Sequence, residues 1–168
     1  MFWNKAKRLG VLLLTLSLIS ISARAQSEYT LETVAEGLNF PWSIAFLPSG
    51  GYLVAMRSGE VRNISADGTV SEPITGLPES YVMSQGGYFD ITLDPEFASN
   101  QRIYLSFAHG TPEANGTRIV TGTLKGSAVT DVTPIFTVTP LKDTPVHYGG
   151  KMPFQSDGTL LPTTGEGR

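Results

Sequence analysis

The 168-residue chain has no cysteine and only two histidines, His109 and His147. No disulfide or thiolate–metal site can form, and two histidines are too few for a zinc centre of the usual composition. Charge is scarce as well. Only 16% of the residues are Asp, Glu, Lys or Arg, and the net charge is −3. Lys5, Lys7 and Arg8 hold part of the positive charge at the extreme N-terminus, so the remainder is more acidic still. Without a basic patch, nucleic acid is not expected as a partner. Beyond residue 26 no segment shows a capped apolar repeat of helical period, so helices are not expected to build the fold. Ser43 and Ser84 lack a G-x-S-x-G context, which leaves serine hydrolysis unsupported. What the chain does have is turn chemistry. Eighteen glycines and 11 prolines punctuate short β-rich runs, the pattern of an all-β protein.

The first 25 residues read as a secretory signal peptide. A basic start is followed by an apolar core at residues 11–21 and by Ala23-Arg24-Ala25, an A-x-A cleavage pattern before Gln26. The core is shorter than the roughly 20 apolar residues that span a bilayer. Cleavage would leave about 143 residues, the size of one domain, without a membrane anchor. A periplasmic or secreted location fits this reading and the absence of cysteine. The expected organisation is residues 1–25 as signal and 26–168 as one β domain.

The β-rich runs recur. FLPSGGYLV at 46–54 matches FQSDGTLL at 154–161 after a shift of 108, and ITLDPEF at 91–97 lies between them, followed by a strand at 102–108. Each copy is a strand, a polar turn and a second strand. In the first copy a third strand at 59–64 turns through Ala66-Asp67-Gly68 towards Val70. Units of about 50–60 residues fit propeller blades better than a sandwich.

The last 22 residues read as a hairpin around Ser156-Asp157-Gly158, with flanks at 151–155 and 159–164. With Asp157-Gly158 as a two-residue loop, positions adding up to 315 face each other. This puts Glu166 opposite Gly149 and diagonal to His147, about 7–8 Å away at Cα. A carboxylate beside an imidazole orients it and raises its basicity, as a general base needs. A surface ion pair would use the same two residues. Taken as residues alone, Gln85 is a loop amide, His109 a solvated loop residue before Gly110-Thr111-Pro112, and Asp94-Pro95 a turn. Trp42, Phe46, Phe89 and Phe97 read as blade core.

Three segments in order carry a resemblance: GLNFPWSIAFLP at 37–48, SQGGYFDI with DPEF at 84–97, and HYGGK with DGTL and TTGE at 147–166. The chain resembles the soluble glucose/sorbosone dehydrogenases, the pyrroloquinoline-quinone (PQQ)-dependent aldose sugar dehydrogenases. The resemblance implies a six-bladed β-propeller carrying PQQ on one face, with calcium polarising the quinone. The expected reaction is hydride transfer from the anomeric carbon of an aldose to the quinone, giving a lactone. An electron acceptor would reoxidise the quinone. His147 matches the family's general base, Glu166 the acid that partners it, and Gln85 a glutamine that contacts cofactor and sugar. Gly86 and Gly87 would let the backbone pass close to the cofactor ring. Two other readings stay open, a non-catalytic sugar-binding propeller and a metal-dependent propeller lactonase.

The chain departs from the family pattern in two places. Under three blades fit into about 143 residues, so an N-terminal piece of the ring is expected, inactive alone, with most PQQ and calcium ligands beyond residue 168. Pro153 and Pro162 stand where the family has strand formers, and in the 315 register they face each other.

Overall fold

The computed structural model describes residues 29–165. The proposed signal peptide and Glu166 therefore lie outside the described residues. The chain divides into two parts between Glu32 and Thr33. The few described residues of the first, 29–32, carry no regular structure.

The second part begins with four strands, β1 (Pro41–Phe46), β2 (Tyr52–Met56), β3 (Glu60–Ile64) and β4 (Val70–Pro73). They pair in chain order as an antiparallel meander. β2 is a nearly continuous apolar run, with Leu53, Val54, Ala55 and Met56 all buried, as expected of a strand covered on both faces. Its register sets Ala45 opposite Leu53 and Val54 opposite Arg62. The turns follow their residues. Gly50 takes φ 90°, and its N–H donates to the Leu47 carbonyl. Asp67 accepts from the Ser65 hydroxyl and the Thr69 N–H, bonds that hold its carboxyl down at about 2.

A second meander has the same order: β5 (Tyr88–Leu93), β6 (Arg102–Thr111), β7 (Ala114–Lys125) and β8 (Ala128–Thr137). A four-residue helix, α1 (Phe97–Asn100), sits between β5 and β6. Asp94 forms the expected turn there. Its carboxylate accepts from the Glu96 N–H, the Asn100 amide and the Tyr104 hydroxyl.

The two meanders pack as consecutive blades, with β1 and β5 as neighbouring strands. Leu53, Ala55 and Val61 of the first share one core with Ile91, Leu105 and Phe107 of the second. At the opposite edges the Thr75 N–H donates to Ser127 and the Val129 N–H to Thr75, so main chain also joins the sheets. The fold is thus all-β with two complete four-stranded blades.

A third unit starts at residue 147, and its hairpin register differs from expectation. The Gln155 N–H donates to Thr159 and the Gly158 N–H to Gln155, so the loop is three residues, 156–158. Pairing follows a sum of 314 at Phe154↔Leu160 and slips to 313 at Gly149↔Thr164. Gly149 therefore faces Thr164 rather than Glu166. The prolines do not face each other either. Pro153 accepts from the Leu161 N–H, and the Thr163 N–H reaches Lys151. Pro162 falls between these bonded pairs, where a missing donor costs no ladder bond.

Hydroxyls of the second blade hold this unit in place. Thr117 of β7 donates to the Tyr148 carbonyl, Ser106 of β6 to Gly150, and Thr92 of β5 to Met152. Asp90 is the hub. It is 4% exposed and accepts from Ser43 Oγ at 2.5 Å, Lys151 Nζ at 2.8 Å and the Met152 N–H at 2.9 Å. One carboxylate thus joins β1, β5 and the third unit. Asp90→Ala strands the buried Ser43 and Met152 donors, and should cost about 2–4 kcal/mol. A denaturant midpoint unchanged by the substitution would contradict this.

Two readings of the sequence need correction, and a third gains a reason within the chain. Phe89 and Phe97 are core, but Trp42 and Phe46 are 58% and 70% exposed, because they alternate with the inward Ser43 and Ala45. His109 lies within β6 opposite Gly116, edge-on to Phe107. Partial burial and nearby Arg118 lower its pKa. Gly86 and Gly87 are buried, and a Cβ on them would meet the carbonyls of Tyr81 at 2.3 Å and Arg57 at 1.9 Å. Close packing within the chain requires these two glycines.

Candidate active site

Three successive repeats begin with a non-glycine residue in the left-handed region. Phe40 (φ 56°) precedes β1, Ser84 (φ 52°) leads the loop into β5, and His147 (φ 55°) opens the third unit. Such residues cost about 1–3 kcal/mol each and persist only where surrounding contacts hold them. Here those contacts are cations and loop bonds. Arg57 lies 4.9 Å from the Phe40 ring centroid and donates to the Ser84 carbonyl. Lys142 donates to the carbonyls of Val146 and His147.

Two of the three residues singled out in the sequence meet at this end of the strands. The His147 N–H donates to Gln85 Oε1 at 2.9 Å, and the Gln85 N–H donates to the Pro145 carbonyl at 3.1 Å. Residues 62 apart are thereby clasped backbone to side chain and back. Both side chains are exposed. Gln85 spends its acceptor on His147, so what it chiefly offers a ligand is its NH₂ donors. The third residue, Glu166, follows Gly165 in the chain. Gly165 donates to Tyr148, and a Cβ on Gly165 would lie 1.9 Å from the His147 carbonyl. The chain thus passes tightly beneath His147 immediately before Glu166.

Beside this clasp is a cleft of about 270 Å³ lined by Trp42, Gln85, Phe89, Tyr148 and Gly149. The Phe89 and Tyr148 rings pack 5.0 Å apart. Burial, aided by nearby Tyr81, pushes the Tyr148 hydroxyl up to about 12, so it stays protonated. A second cleft of about 440 Å³ lies on the other side of His147, bordered by Lys142, Leu141, Thr117 and Tyr148. Aromatic walls with a few polar groups at the rim suit a flat or sugar-like ligand.

A quinone with carboxylate substituents makes two demands. The aromatic wall and the Gln85 amide fit a flat ring bearing carbonyl groups. Its carboxylates need cations, and among the described residues no Lys or Arg lines this cleft. Arg57, bonded to Ser84, and Lys142, on the Tyr148 ring, already donate to backbone carbonyls. Among the described residues no three His, Asp or Glu side chains gather as a metal site. The residues present thus fit the ring face of the cofactor and leave its carboxylates and a calcium ion to other ligands.

Reading the sequence missed Trp42, Arg57, Lys142 and Asn115 at this end. Alternation along β1 sets Trp42, Ile44 and Phe46 on one face and Ser43 and Ala45 on the other, but only the tertiary packing turns the bulkier face outward. Arg57, Lys142 and Asn115 act through backbone contacts between distant loops, which leave no local pattern.

Comparison with known proteins identifies the family and agrees with the fold. The family described as Glucose / Sorbosone dehydrogenase matches residues 38–168, and the chain belongs to that family. It is 36% identical over 146 residues to the aldose sugar dehydrogenase YliI of Escherichia coli, covering 84% of this chain and 39% of that protein. Among solved structures, the soluble aldose sugar dehydrogenase of E. coli in its apo form superposes with a TM-score of 0.75 at 37% identity. That match covers 81% of this chain and 40% of the other. The PQQ-bound aldose sugar dehydrogenase of Streptomyces coelicolor superposes with a TM-score of 0.73 at 29% identity, covering 83% and 42%. The chain therefore spans under half the length of these relatives. Its two blades and third unit match part of a propeller.

Proposed function

We propose that these residues form part of the active site of a PQQ-dependent dehydrogenase that oxidises aldose sugars at the anomeric carbon to lactones. The observation that carries this reading is the Gln85–His147 clasp at the mouth of an aromatic cleft. PQQ, when bound and polarised by calcium, supplies the acceptor for hydride from the anomeric carbon. An imidazole nitrogen of His147 removes the proton of the anomeric hydroxyl. Glu166 orients that imidazole, and the Gln85 amide donates to cofactor and sugar oxygens. Trp42, Phe89 and Tyr148 exclude water from one side of the reacting pair. Membership of the family and likeness to a PQQ-bound aldose sugar dehydrogenase support the reading.

The test is dye reduction by the full-length protein supplied with PQQ, calcium and an aldose. Turnover that requires all three is expected. Sugar binding without dye reduction would favour the non-catalytic module, and lactone hydrolysis without PQQ would favour the lactonase.

The proposed location is periplasmic or secreted, with residues 1–25 removed and residues 26–168 contributing to the propeller. Among the described residues no helix is long and apolar enough to cross a membrane. N-terminal sequencing of exported protein should begin at Gln26. Retention of Met1 on membrane-bound material would refute cleavage.

A further inference from the structure

Lys142 and Tyr148 close a circuit of contacts around His147. The main chains of Lys142 and Asn115 pair in both directions, at 2.7 and 2.9 Å. The buried Asn115 side chain accepts from the Tyr148 hydroxyl at 2.6 Å and donates to the Thr111 carbonyl at 3.2 Å. Above the Tyr148 ring, 4.1 Å from its centroid, sits the Lys142 ammonium. That ammonium returns to the chain on the carbonyls of Val146 and His147, the latter at 3.2 Å. Partial burial lowers the Lys142 pKa, and the carbonyl oxygens and the ring face supply favourable contacts to the ammonium.

We propose that Lys142 is a positioning residue for His147, fixing its left-handed backbone so that the exposed imidazole is presented to substrate beside Gln85. Both backbone polar groups of His147 are engaged, its N–H by Gln85 and its carbonyl by Lys142. A residue at φ 55° needs such restraint, because a non-glycine backbone there relaxes once its partners are lost. Tyr148 and Asn115 hold the ammonium at the right height, so the circuit converts the β6–β7 turn into a fixed support for the imidazole. The inference rests on His147 being the base, and its test separates the two claims.

Lys142→Met, Lys142→Arg and Tyr148→Phe would be made in the full-length protein. Two quantities would be read, amide hydrogen exchange at His147 and the steady-state constants for an aldose. In Lys142→Met, exchange at His147 should quicken by about tenfold as its bond to Gln85 loosens, while core amides of β2 stay protected. With the base misplaced, kcat should fall by up to about 10²-fold while KM holds. Lys142→Arg keeps donors for both carbonyls and should recover most of both values. Tyr148→Phe keeps the ring but cuts the tie to Asn115, and should move both in the same direction by less. If Lys142→Met does not fold, Lys142→Gln carries the same two readings. Unchanged exchange at His147 overturns the proposal, whatever kcat does. Faster exchange with unchanged kcat supports the positioning of His147 and overturns its role as base.

Discussion

Replacing His147 by alanine in the full-length protein should lower kcat for aldose oxidation by about 10²–10⁴-fold, the usual contribution of a general base. PQQ should still bind, because the imidazole lies at the rim of the aromatic cleft and does not line it. KM should change little for the same reason. Substitution at this position is structurally mild. The side chain is exposed, and what secures the residue is its own N–H and carbonyl, which alanine retains. Loss of activity in this variant therefore reports on chemistry. Glu166→Gln should act in the same direction with a smaller effect, since it removes an orienting charge and leaves the base. A His147→Ala enzyme with near-normal kcat and an unaltered pH profile would overturn the assignment.

A polypeptide limited to residues 26–168 should associate with itself and show no quinone-dependent sugar oxidation. β1 turns Trp42, Ile44 and Phe46 outward, at 58%, 49% and 70% exposure, so one innermost strand shows a stripe of three large apolar side chains. In a propeller each sheet buries its face against the next, and an uncovered face is an association surface. Ile44→Lys with Phe46→Lys should shift such a polypeptide towards monomer without weakening its core, because neither side chain belongs to the shared cluster. Catalysis should be missing for a separate reason. No Lys or Arg among the described residues lines the aromatic cleft, so the cofactor's carboxylates would lack charged partners there. Size-exclusion chromatography beside dye reduction would check both statements. A monomer that turns over glucose would contradict them.

Turn chemistry and apolar runs fixed much of the outcome in advance. The repeats predicted a strand, a polar turn and a second strand across 46–54, a third strand at 59–64 and a strand at 102–108. β1 and β2 flank the first turn, and β3 and β6 are the other two. Asp67-Gly68, Asp94-Pro95 and Asp157-Gly158 form turns because Asp bonds its own backbone two residues on, a preference that needs no tertiary partner. His147 and Gln85 were nameable from the motifs that surround them.

Position relative to the rest of the molecule was decided by tertiary structure. One extra residue in the last loop moved the register from 315 to 314, and a separate slip near Gly150 moved it to 313, neither of which a list of turn formers can specify. Trp42 is as apolar as any core residue. Only the packing of β1 on β5 determines that Ser43 turns inward to meet Asp90. The Gly86-Gly87 pair reads the same whether a ligand or a carbonyl approaches, and here the carbonyls of Tyr81 and Arg57 do. The support under His147 is likewise assembled from Lys142, Asn115 and Tyr148 on separate segments. Local sequence therefore settled what is a strand and what is a turn, because those preferences act over a few residues. Which face is buried, which register holds and which cation supports the imidazole depend on contacts between distant segments, and folding alone brings those together.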